Sequence, residues 1–121
     1  MINFNQQTFY KRNTILKDIG IDSYQEFLKS DTWIKTKIKF NKKRKDNPFW
    51  QKCHGCGCTN NLQLHHMRYK KANLKGSNLN NIIPLCNVCH TMLHEVSRKY
   101  NKSFWSSLKF MKKKNMCLAV A

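Results

Sequence analysis

Two Cys-x-x-Cys pairs, Cys53 with Cys56 and Cys86 with Cys89, constrain this chain more than any other feature. Four thiolates in two such knuckles are the tetrahedral donor set of a structural zinc, and a metal held by both pairs fixes residues 53 and 89 at one place in the fold. Disulfides are the other use of paired cysteines, and they require an oxidising compartment. The N-terminus Met1-Ile2-Asn3-Phe4-Asn5 lacks the apolar core of a signal peptide, and no apolar run approaches the ~20 residues that span a bilayer. The expectation is therefore a cytoplasmic, intracellular protein without membrane association, stapled by a Zn²⁺ on Cys53, Cys56, Cys86 and Cys89. Cys58 is a weaker competitor for Cys56, because a one-residue spacer makes a poorer knuckle.

The gap between the knuckles exceeds the ~15 to 20 residues of a simple zinc ribbon, so further structure must be folded between them. All five histidines lie in or between the knuckles or just beyond them, within the stretch Cys53 to His94, and Cys117 is the one cysteine outside that stretch. With 121 residues, the chain has room for one small domain with a modest core, which a metal staple would help to fold. There is no internal repeat, low-complexity linker or break in composition.

The formal net charge is +17, from 23 Lys and Arg against 6 Asp and Glu. A field of that size attracts polyanions, with DNA or RNA the commonest partner. Around the central stretch the signals are helical. Phe9, Tyr10, Ile15 and Leu16 suggest a short helix over Gln6 to Lys17, closed by Gly20. Ser23 with Glu26 three residues on is a capping-box signal for a second helix through Tyr24, Phe27 and Leu28. A third begins near Ser30-Asp31, carries Trp33, Ile34 and Ile38, and ends before Pro48. Lys42, Lys43, Arg44 and Lys45 at its far end form a basic run suited to phosphates. Ser103 caps a last helix with Phe104, Leu108 and Met111 on one face, Trp105 beside them and Lys112 to Lys114 at its C-terminal end. The apolar Cys117-Leu118-Ala119-Val120-Ala121 has no functional reading.

Between Asp46 and Glu95 there is no Asp or Glu. A second metal in this stretch must therefore be held by imidazole, and a general base must be imidazole too. His90 and His94 stand four apart, which on a helix places both rings on one face. A third nitrogen, from His65 or His66, completes a face of three and leaves room for water and a phosphate oxygen. Alternation along a strand sends those two side chains to opposite sides, so one can be the ligand while the other stands off as a base titrating near neutrality. The alternative that Cys89-His90 offers His90 to the zinc stays open at this point, and His54, inside the first knuckle, reads as exposed and structural.

With these residues in view, the chain resembles the HNH endonuclease family, of the ββα-metal fold. Leu62-Gln63-Leu64-His65-His66-Met67-Arg68-Tyr69 is similar to the family's first motif strand, Asn81 falls at its middle Asn, and Leu85-Cys86-Asn87-Val88-Cys89-His90 with His94 is similar to its last motif and helix. Tyr24 to Trp33 is similar to the lead-in of many small zinc-containing members. The resemblance implies that His66 is the general base that deprotonates water for attack on the scissile phosphate. It implies that His65, His90 and His94 hold one divalent cation, with Mg²⁺ first and Mn²⁺, Ni²⁺ or Zn²⁺ as alternatives. Asn81 would tie its loop back to the first strand and keep His66 oriented, and the products would carry 5′-phosphate and 3′-hydroxyl ends. Many relatives have Asp where His65 stands, and some lack an equivalent of His94.

The expected fold is α+β: a single domain over 1–121, with a helical N-terminal extension at 1–47, a zinc-clamped ββα-metal core at 48–100 and a C-terminal helix and tail at 101–121. The expected function is metal-dependent cleavage of DNA phosphodiester bonds by a monomer or homodimer. Lys42, Lys43, Arg44 and Lys45, with Arg68, Lys70 and Lys71 after the first motif, are the expected nucleic-acid contacts. The rivals are a zinc-dependent nucleic-acid-binding module that does not cut, and an RNA-directed nuclease with the same site. Richness in Lys, Asn and Ile hints at an AT-rich genome, and a small free-standing chain suits a phage, mobile element or restriction system.

Overall fold

The computed structural model describes residues 4–116. The chain runs from α1 (Phe4–Asp18), α2 (Tyr24–Leu28) and α3 (Asp31–Arg44) through a 3₁₀ turn at Pro48–Gln51 to β1 (Leu62–His66). It continues through a short α4 (Lys71–Leu74) to β2 (Ile82–Cys86), α5 (Asn87–Tyr100) and α6 (Phe104–Lys113). The class is α+β, with one two-stranded antiparallel sheet among the described residues. No described helix is long and apolar enough to cross a membrane. The Cys117–Ala121 tail lies outside the described residues.

Local chemistry sets most of the helix boundaries. Ser23, Ser30 and Ser103 each accept a hydrogen bond from the backbone N–H three residues on, at Glu26, Trp33 and Ser106, which satisfies one orphan donor at the start of α2, α3 and α6. At the other end of α1, Gly20 takes φ +84°, while Ile21 N donates to Leu16 O at 2.8 Å and Gly20 N to Lys17 O at 3.0 Å, the Schellman pattern. Asn replaces Gly in the same role later on. Asn101 (φ 52°) closes α5, with Lys102 N bonded to Ser97 O, and Asn115 (φ 50°) closes α6, with Met116 N bonded to Met111 O.

The core lies where α3, α5 and α6 cover the sheet. Its buried side chains include Phe27, Trp33, Phe40, Ile82, Leu85, Leu93, Phe104 and Met111. On α3 the buried positions are Trp33, Thr36 and Phe40, which share a stripe at helical spacing. Ile34 and Ile38, which the sequence also offered, fall on the other side of the helix and are exposed.

All five residues of β2 are buried, and it pairs with β1 in the register His65 with Ile83 and His66 with Ile82. Pro84 has no N–H to give, but its carbonyl is used: it accepts from His54 N at 3.0 Å and so ties the first knuckle to β2. The second knuckle needs no separate tie, because β2 ends at Cys86 and α5 starts on the next residue.

Candidate functional site

Cys53, Cys56, Cys86 and Cys89 come together as the sequence requires, with their sulfurs all within 4.8 Å of one another. A Zn–S bond of about 2.3 Å gives a tetrahedral edge of about 3.8 Å. The Cys56 and Cys86 sulfurs are 3.8 Å apart. The backbone supports both knuckles. Gly55 N donates to Cys53 Sγ at 3.3 Å, and Cys89 N donates to Cys86 Sγ at 3.4 Å, so that Cys86 is the N-cap of α5. Gly57 N to Cys53 O and Cys53 N to Cys58 O close the first turn. Gly55 is required by close approach, because a Cβ there would lie 2.5 Å from Cys89 Sγ. Cys58 stays outside the group and points its thiol at Asn60 O. Burial would raise the Cys53 thiol, but hydrogen bonds from the backbone of Cys86, Cys56 and Gly55 bring it below its ordinary value. The four-cysteine cluster is compatible with a structural zinc.

A second group forms where β1 meets α5. His65 from the strand and His90 and His94 from the helix bring one nitrogen each within 4.8 Å of the others, so His90 belongs to this group and not to the thiolates. His65 Nε2 and His94 Nε2 are 3.1 Å apart, close to the edge of about 3.3 Å for two imidazoles on a tetrahedral zinc. Phe104 packs edge-on against His65 at 4.8 Å and at a tilt against His94 at 5.0 Å, which fixes both rings. Burial, then the neighbouring His94, His90 and His66, holds His65 far below the usual histidine range. Burial, then His90 and Arg12, lowers His94 to about 4. All three rings are also lowered by burial, so they present neutral nitrogens, the form that ligates metal.

The triad sits in the wall of a cleft of ≈ 540 Å³. Arg12, Lys37 and Arg44 supply charge to that cleft, and none of its lining residues is acidic. Arg12 stacks over Tyr24 at 4.0 Å and over Tyr69 at 5.5 Å, a cation held by aromatic faces rather than by a carboxylate. Nothing in the sequence marks Arg12 or Lys37 for this place, because the cleft exists only once α1 and α3 lie beside β1. The expected basic contacts divide accordingly. Arg44 lines the cleft, whereas Lys42 and Lys43 on α3, Lys45 just after it, and Arg68, Lys70 and Lys71 after β1 do not.

His66 does point away from His65, as strand alternation demands, but its surroundings differ from the expectation. It is 2% exposed and packs against Trp33 at 4.8 Å, Phe27 at 5.8 Å and Tyr69 at 6.0 Å between ring centroids. It does not line the cleft. Instead of titrating near neutrality it is lowered to about 4, by burial, with a hydrogen bond to the backbone of Asn73 acting the other way. Asn81 ties its loop to the first strand through the main chain, with Met67 N donating to Asn81 O at 2.6 Å. Its side chain accepts from Trp105 Nε1 at 3.0 Å, and it is Asn73 that bonds to His66. With φ 66°, Asn81 is also a turn residue in the left-handed region. His54, expected to be exposed, is half-buried, with its ring 4.5 Å from that of Phe49 and 5.0 Å from that of Trp50.

No family model, curated protein or solved structure matches the chain. The functional reading therefore rests on the geometry and chemistry of these two groups.

Proposed function

We propose that the protein is a metal-dependent nuclease of the ββα-metal kind, with β1, β2 and α5 as its core. The observation that carries this reading is the meeting of His65, His90 and His94 in a cleft whose charged residues are all cationic. A divalent cation held by these nitrogens would act as a Lewis acid on a phosphoryl oxygen. Arg12, Lys37 and Arg44 would draw a phosphodiester backbone into the cleft and hold it there, with Arg12 kept in place by the rings of Tyr24 and Tyr69. Phe104 keeps two of the ligand rings from turning.

Three imidazoles with no carboxylate suit Zn²⁺ or Ni²⁺ better than Mg²⁺, which prefers oxygen ligands. The choice of cation thus moves away from Mg²⁺. His66 is the base that the family resemblance suggests, with DNA as the substrate. For His66 to reach a cleft-bound water, the wall made by Trp33 and Phe27 has to yield.

A specific observation also favours a second reading. The burial of His66 is what a structural histidine would have, and a zinc-dependent module that binds nucleic acid without cutting it needs no base. Plasmid nicking with Mg²⁺, Mn²⁺, Ni²⁺ or Zn²⁺ added, comparing the parent with His94→Ala and His66→Ala, separates the two. The nuclease reading expects nicking by the parent that both substitutions abolish. A parent that binds DNA and is inert with every metal leaves the binding module. Nicking that survives His66→Ala but not His94→Ala keeps the metal site and removes His66 as the base. Competition between DNA and RNA substrates decides which polymer is cut.

A further inference from the structure

A second face of the molecule, bordered by Cys53 and Cys56 of the four-cysteine group but separate from the histidine cleft, has the features of a ligand site. The 3₁₀ turn, the first knuckle and the C-terminal turn of α6 enclose a hollow of ≈ 370 Å³, lined in part by Phe49, Lys52, His54, Gly57 and Lys112. It shares no lining residue with the histidine cleft, and none of its lining residues is acidic. Phe49 is 64% exposed at its edge, yet its ring is braced from behind by His54 at 4.5 Å and Trp50 at 5.7 Å. An aromatic ring in water that is held rigid and flanked by two lysines is a platform on which a planar, phosphate-linked ligand can stack. His54 Nε2 is buried with no hydrogen-bond partner in the protein, which leaves a polar group at the back of this aromatic wall.

The hollow is also linked to the cleft. Gln51 Nε2 donates to the carbonyls of Arg44 at 3.0 Å and Lys45 at 2.9 Å, which fastens the 3₁₀ turn to the basic end of α3. Arg44 lines the cleft on one side and a small hollow against Trp50 on the other. Trp50 in turn packs edge-on against Phe49, with 5.7 Å between ring centroids.

We propose that this face binds an unpaired nucleotide of a nucleic-acid strand, with its base stacked on Phe49 and its phosphates on Lys52 and Lys112. The nucleotide must be unpaired, because bases inside a duplex are stacked on each other and cannot reach the ring. This rests on the nucleic-acid part of the proposed function and not on cleavage.

The test is binding, by fluorescence anisotropy at fixed salt and with no added second metal. It compares the parent, Phe49→Ala and Phe49→Trp on a deoxyuridine oligomer and a uridine oligomer of about 12 nucleotides each, and on a blunt duplex. Phe49→Ala should weaken binding to at least one single-stranded oligomer by about 5-fold or more, the lower end of what one stacked base contributes, and change duplex binding by less than about 2-fold. Phe49→Trp should restore the loss, and whichever oligomer responds identifies the sugar the site accepts. Unchanged single-strand binding by a folded Phe49→Ala, or an equal loss on the duplex, overturns the proposal. If the parent still binds and nicks duplex DNA in that case, only this site is lost. If the parent binds no nucleic acid at all, the proposed function falls with it.

Discussion

The protonation of His66 gives the sharpest quantitative expectation. Its folded value is about 4, well below the ordinary histidine value of about 6.5, and the physical cause is the hydrocarbon around it: Trp33, Phe27 and Tyr69 leave water no access to solvate the imidazolium. Because the folded state holds its proton more weakly than the unfolded chain, acid favours unfolding. The stability tied to a neutral His66 is complete above about pH 6.5 and is lost as pH falls towards about 4. For a shift of that size, linkage gives a loss of about 2 kcal/mol between about pH 7 and about pH 5 from this residue alone. The assay is urea denaturation at both pH values for the parent and for His66→Gln, which cannot titrate. Zinc loss in acid acts on both proteins alike, so the difference between their pH dependences isolates His66. Equal losses in the two proteins would refute the burial argument and return His66 to the ordinary range of a solvent-exposed base.

Further expectations follow from the four-cysteine group, the histidine triad and the loop between the strands. Cys53→Ser or Cys86→Ser should unfold the domain, since each removes a ligand from the clamp that joins the knuckles; a folded Cys53→Ser that still carries one zinc per chain by elemental analysis would exclude this ligand set. Gly55→Ala should lower zinc content because its Cβ meets Cys89 Sγ, whereas Gly57→Ala, with φ +81° and open space around it, should retain zinc and cost about 1 kcal/mol in thermal unfolding. His94→Ala should stay folded but bind Ni²⁺ at least about 10-fold more weakly by calorimetry, with the thiolate zinc undisturbed. Trp105→Phe removes the donor to Asn81 Oδ1 and should cost about 1 kcal/mol by chemical denaturation, with little effect on binding of that Ni²⁺.

The sequence by itself determined the four-cysteine group, the shared face of His90 and His94, and the α+β class, while the choice of His65 over His66 to join that face came from the family resemblance. For the first two, spacing was enough, because Cys-x-x-Cys closes on itself through local N–H···S bonds and because residues four apart on a helix share a face. The same holds for the serine caps at Ser23, Ser30 and Ser103, which depend on chain only three residues away. It also determined that His65 and His66 must part company, since alternation is a property of one strand. What lies on each side of that strand was decided only by tertiary structure. The packing of α2 and α3 buried His66 behind Trp33 and Phe27, so a histidine expected near neutrality became one held neutral. The packing of α1 carried Arg12 to the cleft, and α3 carried Lys37, while most of the conspicuous lysine run stayed outside it. Ligand spacing is written in local geometry, whereas burial and charge around a site are sums over elements that meet only when the chain has folded.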